Sequence, residues 1–117
     1  LPMVFIGWLA DYADPHNFVY PYLHSKGDFM SFTGDKGRAF AAAQFDALIN
    51  AGINETDQKK RIQIYTELQK KSLDQAPHLM LYDAYDRRVH RDWVKGFVFD
   101  PICPAQYDFY ALSKSLD

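Results

Sequence analysis

Two aspartates lie three positions apart in the stretch GWLADYADPHNF, after an apolar run and around a turn-forming proline. Asp11 stands between Trp8 and Tyr12, and Asp14 directly precedes Pro15. Such a pair could act as general acid and base, because neighbouring carboxyl groups can separate their pKa values. Asp11 alone could instead bind a cationic ligand through a charge-assisted hydrogen bond, or accept backbone N–H groups within its own turn. The local sequence leaves these three possibilities open.

Asp14 has the sequence context of a structural residue. The proline that follows it disfavours the helical conformation at Asp14, and aspartate side chains commonly accept hydrogen bonds from the backbone of a turn. No nucleophile with an orienting partner lies nearby, and His16 is separated from Asp14 by the proline. We therefore predict that the chain is not an enzyme. The enzyme alternative is a carboxylate-dependent hydrolase that uses Asp11 and Asp14.

The histidines and the single cysteine show no spacing typical of a metal site. Zinc sites need His, Cys or acidic ligands at short, defined intervals, whereas these residues are scattered: His16, His24, His78, His90 and Cys103. One cysteine cannot form an internal disulfide, and no phosphate-binding loop or catalytic signature motif is present. With a formal net charge of −2 over 117 residues, the sequence lacks the excess of basic residues that nucleic-acid binding needs. We predict no metal, no cofactor and no nucleic-acid partner.

Hydrophobic patterning predicts the elements that must position the two aspartates. The apolar run MVFIGWL, residues 3–9, has the length of a strand buried on both faces. It ends at ADYADP, residues 10–15, which we call the acidic turn. HNFVYPYLHS can form one or two helical turns interrupted at Pro21, and the glycine-containing residues 25–38 are predicted to be a loop. A second strand, HLMLYDAYD, begins at His78, and one or two short strands follow around Gly96.

Two amphipathic helices are predicted between these strands. Residues 39–51 are rich in alanine, with apolar residues at i, i+3 and i+4 and Gly52 as a natural stop. A longer helix covers roughly 57–76, capped at 56–57 and ended by Pro77. Its predicted buried stripe is Ile62, Tyr65, Leu68 or Gln69, Leu73 and Ala76. The order of strand, helices and further strands indicates an α/β or α+β class.

Four blocks of the sequence, in this order, together resemble a known family: GWLADYADP, FDALINAG, ETDQKKRIQIYTELQKKSLDQAPHLMLY and VKGFVFDPICPAQYDFYALSKS. They resemble the C-terminal portion of a family 5 extracellular solute-binding protein, the class of dipeptide-, oligopeptide- and nickel-binding receptors of ABC importers. The resemblance implies an α/β, two-lobed periplasmic-binding-protein-like (type II) fold that is incomplete in this chain. Residues 1–84 would belong to the C-terminal lobe, and residues 85–117 would return to pack on the N-terminal lobe.

The resemblance also implies a ligand site. In the peptide-binding members the acid of this turn, Asp11 here, pairs with the α-ammonium group of the peptide, and Trp8 and Tyr12 flank it. Tyr82 and Tyr85 lie on or beside the strand that would cross between the lobes, where either could contact the solute or serve only in packing. The implied partners are a small solute, with a peptide favoured, the permease of an ABC importer, and the remainder of the same receptor.

The family further implies an extracytoplasmic location, in the periplasm or as a lipoprotein on the cell surface. A regulatory module of the same fold that senses a ligand is the alternative to a transport receptor. The chain departs from the family pattern at three places. The run before Asp11 is wholly apolar, which leaves peptides, sugars and metal chelates as ligand classes. Residues 42–44 replace the usual Asn-Pro-Glu helix start, so that helix is expected to begin earlier, and Cys103 stands where glycine is common.

Overall fold

The computed structural model describes residues 3–83, 85, 87–100 and 109–115. The chain divides into two units, Leu1–Leu79 and Met80–Asp117. The described part of the first unit is helical. Its elements in chain order are α1 (His16–Leu23), a 3-10 helix (Asp28–Thr33), α2 (Gly34–Ala41), a π-helical turn (Ala42–Asp46), α3 (Ala47–Asn54) and α4 (Gln58–Gln75).

The helix predicted over 39–51 is present and longer than expected. α2, the π-helical turn and α3 follow one another without a break from Gly34 to Asn54. The early start agrees with the loss of the Asn-Pro-Glu sequence. Gly52 lies inside α3 and does not end it. It is buried, and a Cβ there would lie 3.0 Å from the Tyr65 ring. The glycine instead lets α3 approach α4 closely.

The loop predicted for residues 25–38 is wrong, because most of this segment is helical. Its short polar side chains satisfy the backbone locally, since the Ser31 hydroxyl donates to the carbonyl oxygen of Asp28. The Thr33 hydroxyl donates to the carbonyl oxygen of Met30 in the same way. Met30 is also buried in the core of the unit. Residue types that suggested an open loop therefore support a compact helical turn here.

α4 lies close to its predicted bounds. The carboxylate of Asp57 accepts the N–H of Lys60 at 2.9 Å, which caps the start of the helix. The helix ends where Ala76 adopts a left-handed conformation with φ of 46°, directly before Pro77. α1 also differs from expectation in one respect, since Pro21 lies inside it without interrupting it. Among the described residues, no helix combines the length and the apolar character needed to cross a membrane.

The core of the first unit lies where α1, the π-helical turn, α3 and α4 pack together. Phe45, Ile49 and Leu68 are fully buried in it. The other buried apolar residues are Leu23, Met30, Ala41 and Tyr65. The buried stripe of α4 is narrower than predicted, because Ile62, Leu73 and Ala76 are exposed.

The two longer strands predicted from the apolar runs are not formed by the described residues. Residues 3–10 and 78–83 have no regular secondary structure, and both segments are largely exposed, with Met3 at 87% and Leu79 at 81%. A strand requires a neighbouring strand to bind its backbone N–H and C=O groups. Neither segment has such a neighbour among the described residues. The last part of the second predicted strand includes positions 84 and 86, which lie outside the described residues.

The described part of the second unit contains a short antiparallel ladder. β1 (Val94–Lys95) pairs with β2 (Ser113–Lys114), with Val94 opposite Lys114 and Lys95 opposite Ser113. This confirms a short strand beside Gly96. Gly96 has φ of 81°, and a Cβ there would collide with the carbonyl oxygen of Ala111. The ladder therefore requires glycine at this position. Cys103 lies outside the described residues.

Candidate functional site

The acidic turn is held against the first turn of α1 by one buried side chain. The Oδ1 atom of Asn17 accepts the indole Nε1–H of Trp8 at 2.9 Å and the backbone N–H of Asp11 at 3.1 Å. Asn17 is only 5% exposed. Its own backbone N–H donates to the carbonyl oxygen of Asp14 at 3.0 Å, which closes the turn onto the helix. Two predicted site residues, Trp8 and Asp11, are thereby linked to the same amide.

Trp8 lies at the edge of an aromatic cluster. Its ring meets Phe29 edge-on at 5.5 Å between centroids, and Phe29 packs against Tyr22 at 4.6 Å. Tyr22 in turn meets His78 edge-on at 5.3 Å. Burial raises the pKa of Tyr22 and lowers the pKa of His78. Trp8 itself is half-buried, so one side of its ring is packed while part of its surface stays accessible.

Asp11 and Tyr12 are both exposed. Within the same turn, the backbone carbonyl of Tyr12 accepts the N–H of Asp14 at 2.9 Å. Three of the five predicted site residues, Trp8, Asp11 and Tyr12, are thus grouped on one turn of the first unit. Their role in binding a solute remains a prediction.

Asp14 is part of an ion pair that the sequence did not indicate. Nη2 of Arg61, in the first turn of α4, lies 2.8 and 2.9 Å from the two carboxylate oxygens of Asp14. The Oδ1 atom of Asp14 also accepts the backbone N–H of His16 at 2.8 Å. The hydrogen bond from Arg61 lowers the pKa of Asp14, and burial lowers the pKa of the neighbouring His16. Asp14 is therefore a structural residue, as its position before Pro15 suggested.

Arg61 connects the acidic turn to α3 and α4. Its Nε atom donates to the carbonyl oxygen of Gly52 at 2.9 Å, and its Nη2 donates to the Tyr65 hydroxyl at 3.3 Å. Its guanidinium carbon also lies 4.9 Å from the centre of the Tyr65 ring. One side chain thus joins Asp14, α3 and α4.

This arrangement gives no support to hydrolysis by the two aspartates. Asp14 is paired with Arg61, so it is not available as a free acid or base beside Asp11. A second group of catalytic residue types occurs at Ser25, His24 and Asp46. There the Ser25 hydroxyl donates to Asp46, while the Nδ1 atom of His24 accepts the backbone N–H of Lys26 at 3.0 Å. Among the described residues, the Ser25 hydroxyl thus donates to a carboxylate and not to a histidine nitrogen, as nucleophilic catalysis would require.

An open cleft of about 330 Å³ lies elsewhere in the first unit. Its lining residues are Ser25, Lys26, Gly27, Asp28, Ser31 and Arg38. None of the five predicted site residues lines it. Tyr82 and Tyr85 belong to the second unit, where they are 72% and 93% exposed. Their proposed contact with a solute stays a prediction.

Sequence reasoning did not single out Asn17 or Arg61. Asparagine in the first turn of a short helix is common, and only its burial marks it as a residue that must be hydrogen-bonded. Arg61 lies among lysines on a helix that was predicted to turn its charged face to water. Its position at i−4 from Tyr65 was the available signal, because residues four apart lie side by side on a helix.

The chain is similar to binding proteins over most of its length. It is 28% identical over 107 residues to a protein of Escherichia coli named as a probable D,D-dipeptide-binding periplasmic protein, covering 92% of this chain and 20% of that protein. It is 34% identical over 109 residues to heme-binding protein A of Haemophilus influenzae, covering 92% and 18%. It is 30% identical over 95 residues to a dipeptide-binding protein of Bacillus subtilis, covering 81% and 16%.

No protein-family model matches the chain, and no solved structure matches it significantly. The chain spans no more than about a fifth of the length of these curated relatives. It matches a fragment of these binding proteins, in agreement with the resemblance of its four ordered sequence blocks to family 5 extracellular solute-binding proteins.

Proposed function

We propose that this chain is the C-terminal part of an extracytoplasmic receptor that captures a small peptide and delivers it to the permease of an ABC importer. The proposal is supported by similarity to binding proteins, two of which are named for dipeptides. In this proposal the whole receptor has a two-lobed α/β type II fold. Residues 1–84 belong to its C-terminal lobe, and residues 85–117 return to the N-terminal lobe. Ligand contacts to both lobes would favour the closed receptor.

The observation that carries the peptide assignment is an exposed Asp11 whose backbone is anchored beside the half-buried ring of Trp8. A carboxylate in this place suits the α-ammonium group at the start of a peptide. Such a charge-assisted hydrogen bond contributes about 1.5–3 kcal/mol. Trp8 and Tyr12 would cover the peptide on either side of Asp11. Tyr82 and Tyr85 are further proposed ligand contacts.

Heme is the second candidate ligand, because one relative of 34% identity is named a heme-binding protein. The two ligand classes make different demands on Asp11. A peptide presents a cation to it, whereas the propionate groups of heme are anionic and would be repelled. The direction of the effect therefore separates the candidates: Asp11→Asn should weaken the binding of a peptide and should not weaken the binding of heme.

The test is a thermal-shift measurement on the full-length protein that contains this chain. The ligands are Ala-Ala, N-acetyl-Ala-Ala, a tripeptide, maltose, a nickel chelate and heme. A ligand at about a hundred times its dissociation constant stabilises the folded protein by about 2.7 kcal/mol, which gives a clear rise in Tm. We expect Ala-Ala to raise the Tm and N-acetyl-Ala-Ala to be much weaker, because acetylation removes the ammonium charge.

Asp11→Asn is the decisive variant, and Asp35→Asn is its matched control on an exposed acid of α2. The proposal predicts that Asp11→Asn abolishes the Ala-Ala shift while Asp35→Asn preserves it. A shift with heme alone, not reduced by Asp11→Asn and accompanied by a change in the heme absorption band, would replace the peptide proposal with the heme one. A shift with maltose alone would reject both.

A further inference from the structure

We propose that Asn17 is the positioning residue of the candidate site, holding Asp11 and Trp8 together in the arrangement that receives the ligand. The identity of the ligand rests on the proposed function, whereas the hydrogen bonds that Asn17 makes belong to this chain alone. Asn17 does not touch the ligand in this proposal. It acts through the two residues that do.

The geometry joins two separate parts of the turn through one atom. The Oδ1 atom of Asn17 lies 2.9 Å from Nε1 of Trp8, nine residues earlier, and 3.1 Å from the backbone nitrogen of Asp11, six residues earlier. An amide oxygen has two acceptor sites, and these two donors account for both. The indole ring and the Asp11 backbone are therefore placed relative to the same point.

Burial makes this connection specific. Asn17 is 5% exposed, so water cannot readily replace a lost hydrogen bond, and an unsatisfied buried amide is costly. The residue is held in turn by α1, where its backbone N–H donates to the carbonyl oxygen of Asp14. Asn17 thus connects the segment before α1 to the helix itself, and this connection restricts the movement of that segment.

The segment that contains Trp8 needs such support, because residues 3–10 have no regular secondary structure. A regular strand would hold its backbone through a ladder of hydrogen bonds. Here the side chain of Asn17 accepts the backbone N–H of Asp11, the residue that directly follows this segment. Since the direction of the Asp11 side chain follows from its backbone, fixing that N–H also limits where the carboxylate can point.

Positioning of this kind raises the affinity for the ligand, because less conformational entropy is lost on binding. A carboxylate that is already placed loses less conformational freedom when it meets a cation. The ion pair between Asp14 and Arg61 holds another part of the same turn and does not involve the two donors that Asn17 accepts. Losing that pair should lower stability without changing how the protein distinguishes a free peptide amine from an acetylated one.

The experiment compares three variants of the full-length protein. Asn17→Leu has nearly the same size but no acceptor, and Asn17→Asp retains oxygens for both donors. Asn50→Leu is the matched control, an exposed asparagine of α3. Each protein is measured by hydrogen–deuterium exchange at the Asp11 amide, and by calorimetric titration with Ala-Ala and with N-acetyl-Ala-Ala.

We expect Asn17→Leu to expose the Asp11 amide to exchange and to weaken Ala-Ala binding by roughly tenfold or more, the range of a hydrogen bond to a charged group. Its affinity for N-acetyl-Ala-Ala should change much less, so the preference for the free amine falls. Asn17→Asp should keep the Asp11 amide protected, and Asn50→Leu should match the wild type in every measurement.

The proposal is overturned if Asn17→Leu leaves the Asp11 amide protected, or if it weakens both ligands equally, as a general loss of structure would. Should Asn17→Leu not fold, Asn17→Ser takes its place, because a shorter side chain holds its oxygen farther from both donors. If Ala-Ala does not bind the wild type, the proposed function fails. The exchange at Asp11 then still decides whether Asn17 holds the turn.

Discussion

At the residue scale, the two aspartates of the acidic turn have different surroundings. Both carboxylate oxygens of Asp14 accept hydrogen bonds from Arg61, and its Oδ1 also accepts the His16 N–H. Asp11 is exposed and is connected through its backbone to Asn17. Asp14 therefore stabilises the turn, and Asp11 is the acid proposed to meet the ligand.

The first prediction concerns the pH dependence of stability that arises from Asp14. The hydrogen bond from Arg61 lowers the pKa of Asp14 in the folded protein, whereas an unfolded aspartate has a pKa of about 3.9. The unfolded chain therefore binds more protons in this range, so the free energy of unfolding rises with pH there. The contribution is fully present above about pH 4 to 5 and is lost as the pH falls through the folded-state pKa.

Urea unfolding of the chain at pH 7 and at pH 3 measures this contribution. We expect Asp14→Asn to lower the free energy of unfolding at pH 7 by about 1–3 kcal/mol and to reduce the loss of stability between pH 7 and pH 3. Asp35→Asn, on an exposed residue, serves as the control. Equal pH dependence in the wild type and in Asp14→Asn would show that the pair with Arg61 contributes nothing to this effect.

At the scale of elements, the approach of α3 to α4 decides how the first unit packs. Gly52 lies where the two helices meet, and a Cβ on it would be 3.0–3.2 Å from three atoms of Tyr65. The carbonyl oxygen of Gly52 also accepts the Nε–H of Arg61. The same contact therefore supports both the helix pair and the side chain that reaches Asp14.

The second prediction is that Gly52→Leu destabilises the chain, because a larger side chain must displace the Tyr65 ring. Overpacking of a close contact typically costs about 1–3 kcal/mol. Ala51→Leu is the matched control at an exposed neighbouring position of α3, where leucine and alanine differ little in helix propensity. Chemical unfolding followed by circular dichroism measures both variants. Equal stability of Gly52→Leu and Ala51→Leu would refute a tight contact at Gly52.

At the scale of the whole molecule, the chain presents much apolar surface. Large apolar side chains are exposed in both units, among them Met3, Phe5, Leu79, Met80, Tyr85 and Val89. Soluble monomers rarely expose extensive apolar patches, and the chain spans no more than about a fifth of the length of its relatives. We expect the remainder of the receptor to cover part of this surface and to supply the opposite wall of the ligand site.

The third prediction follows for the isolated 117-residue chain. It should bind Ala-Ala weakly or not at all, because only one side of the proposed site is present. It should also bind a hydrophobic dye or form oligomers in light scattering. Calorimetry with the full-length protein is the positive control. Micromolar binding of Ala-Ala by the isolated chain would contradict the proposal that the site needs both lobes.

The sequence by itself determined the features that depend on near neighbours. The bounds of α4 could be predicted from two local signals. The Asp57 side chain caps the helix by accepting the N–H of Lys60, three residues later, and Pro77 prevents the helix from continuing. The structural role of Asp14 was also readable from its local motif, and the family resemblance from four ordered blocks of the sequence. Only the tertiary structure decided that Arg61, 47 residues after Asp14, would pair with it, and that Asn17 would join Trp8 to Asp11. The apolar runs, likewise, become strands only beside a neighbouring strand. The physical reason is that hydrogen bonds between distant residues depend on how helices pack, which spacing along the chain does not specify.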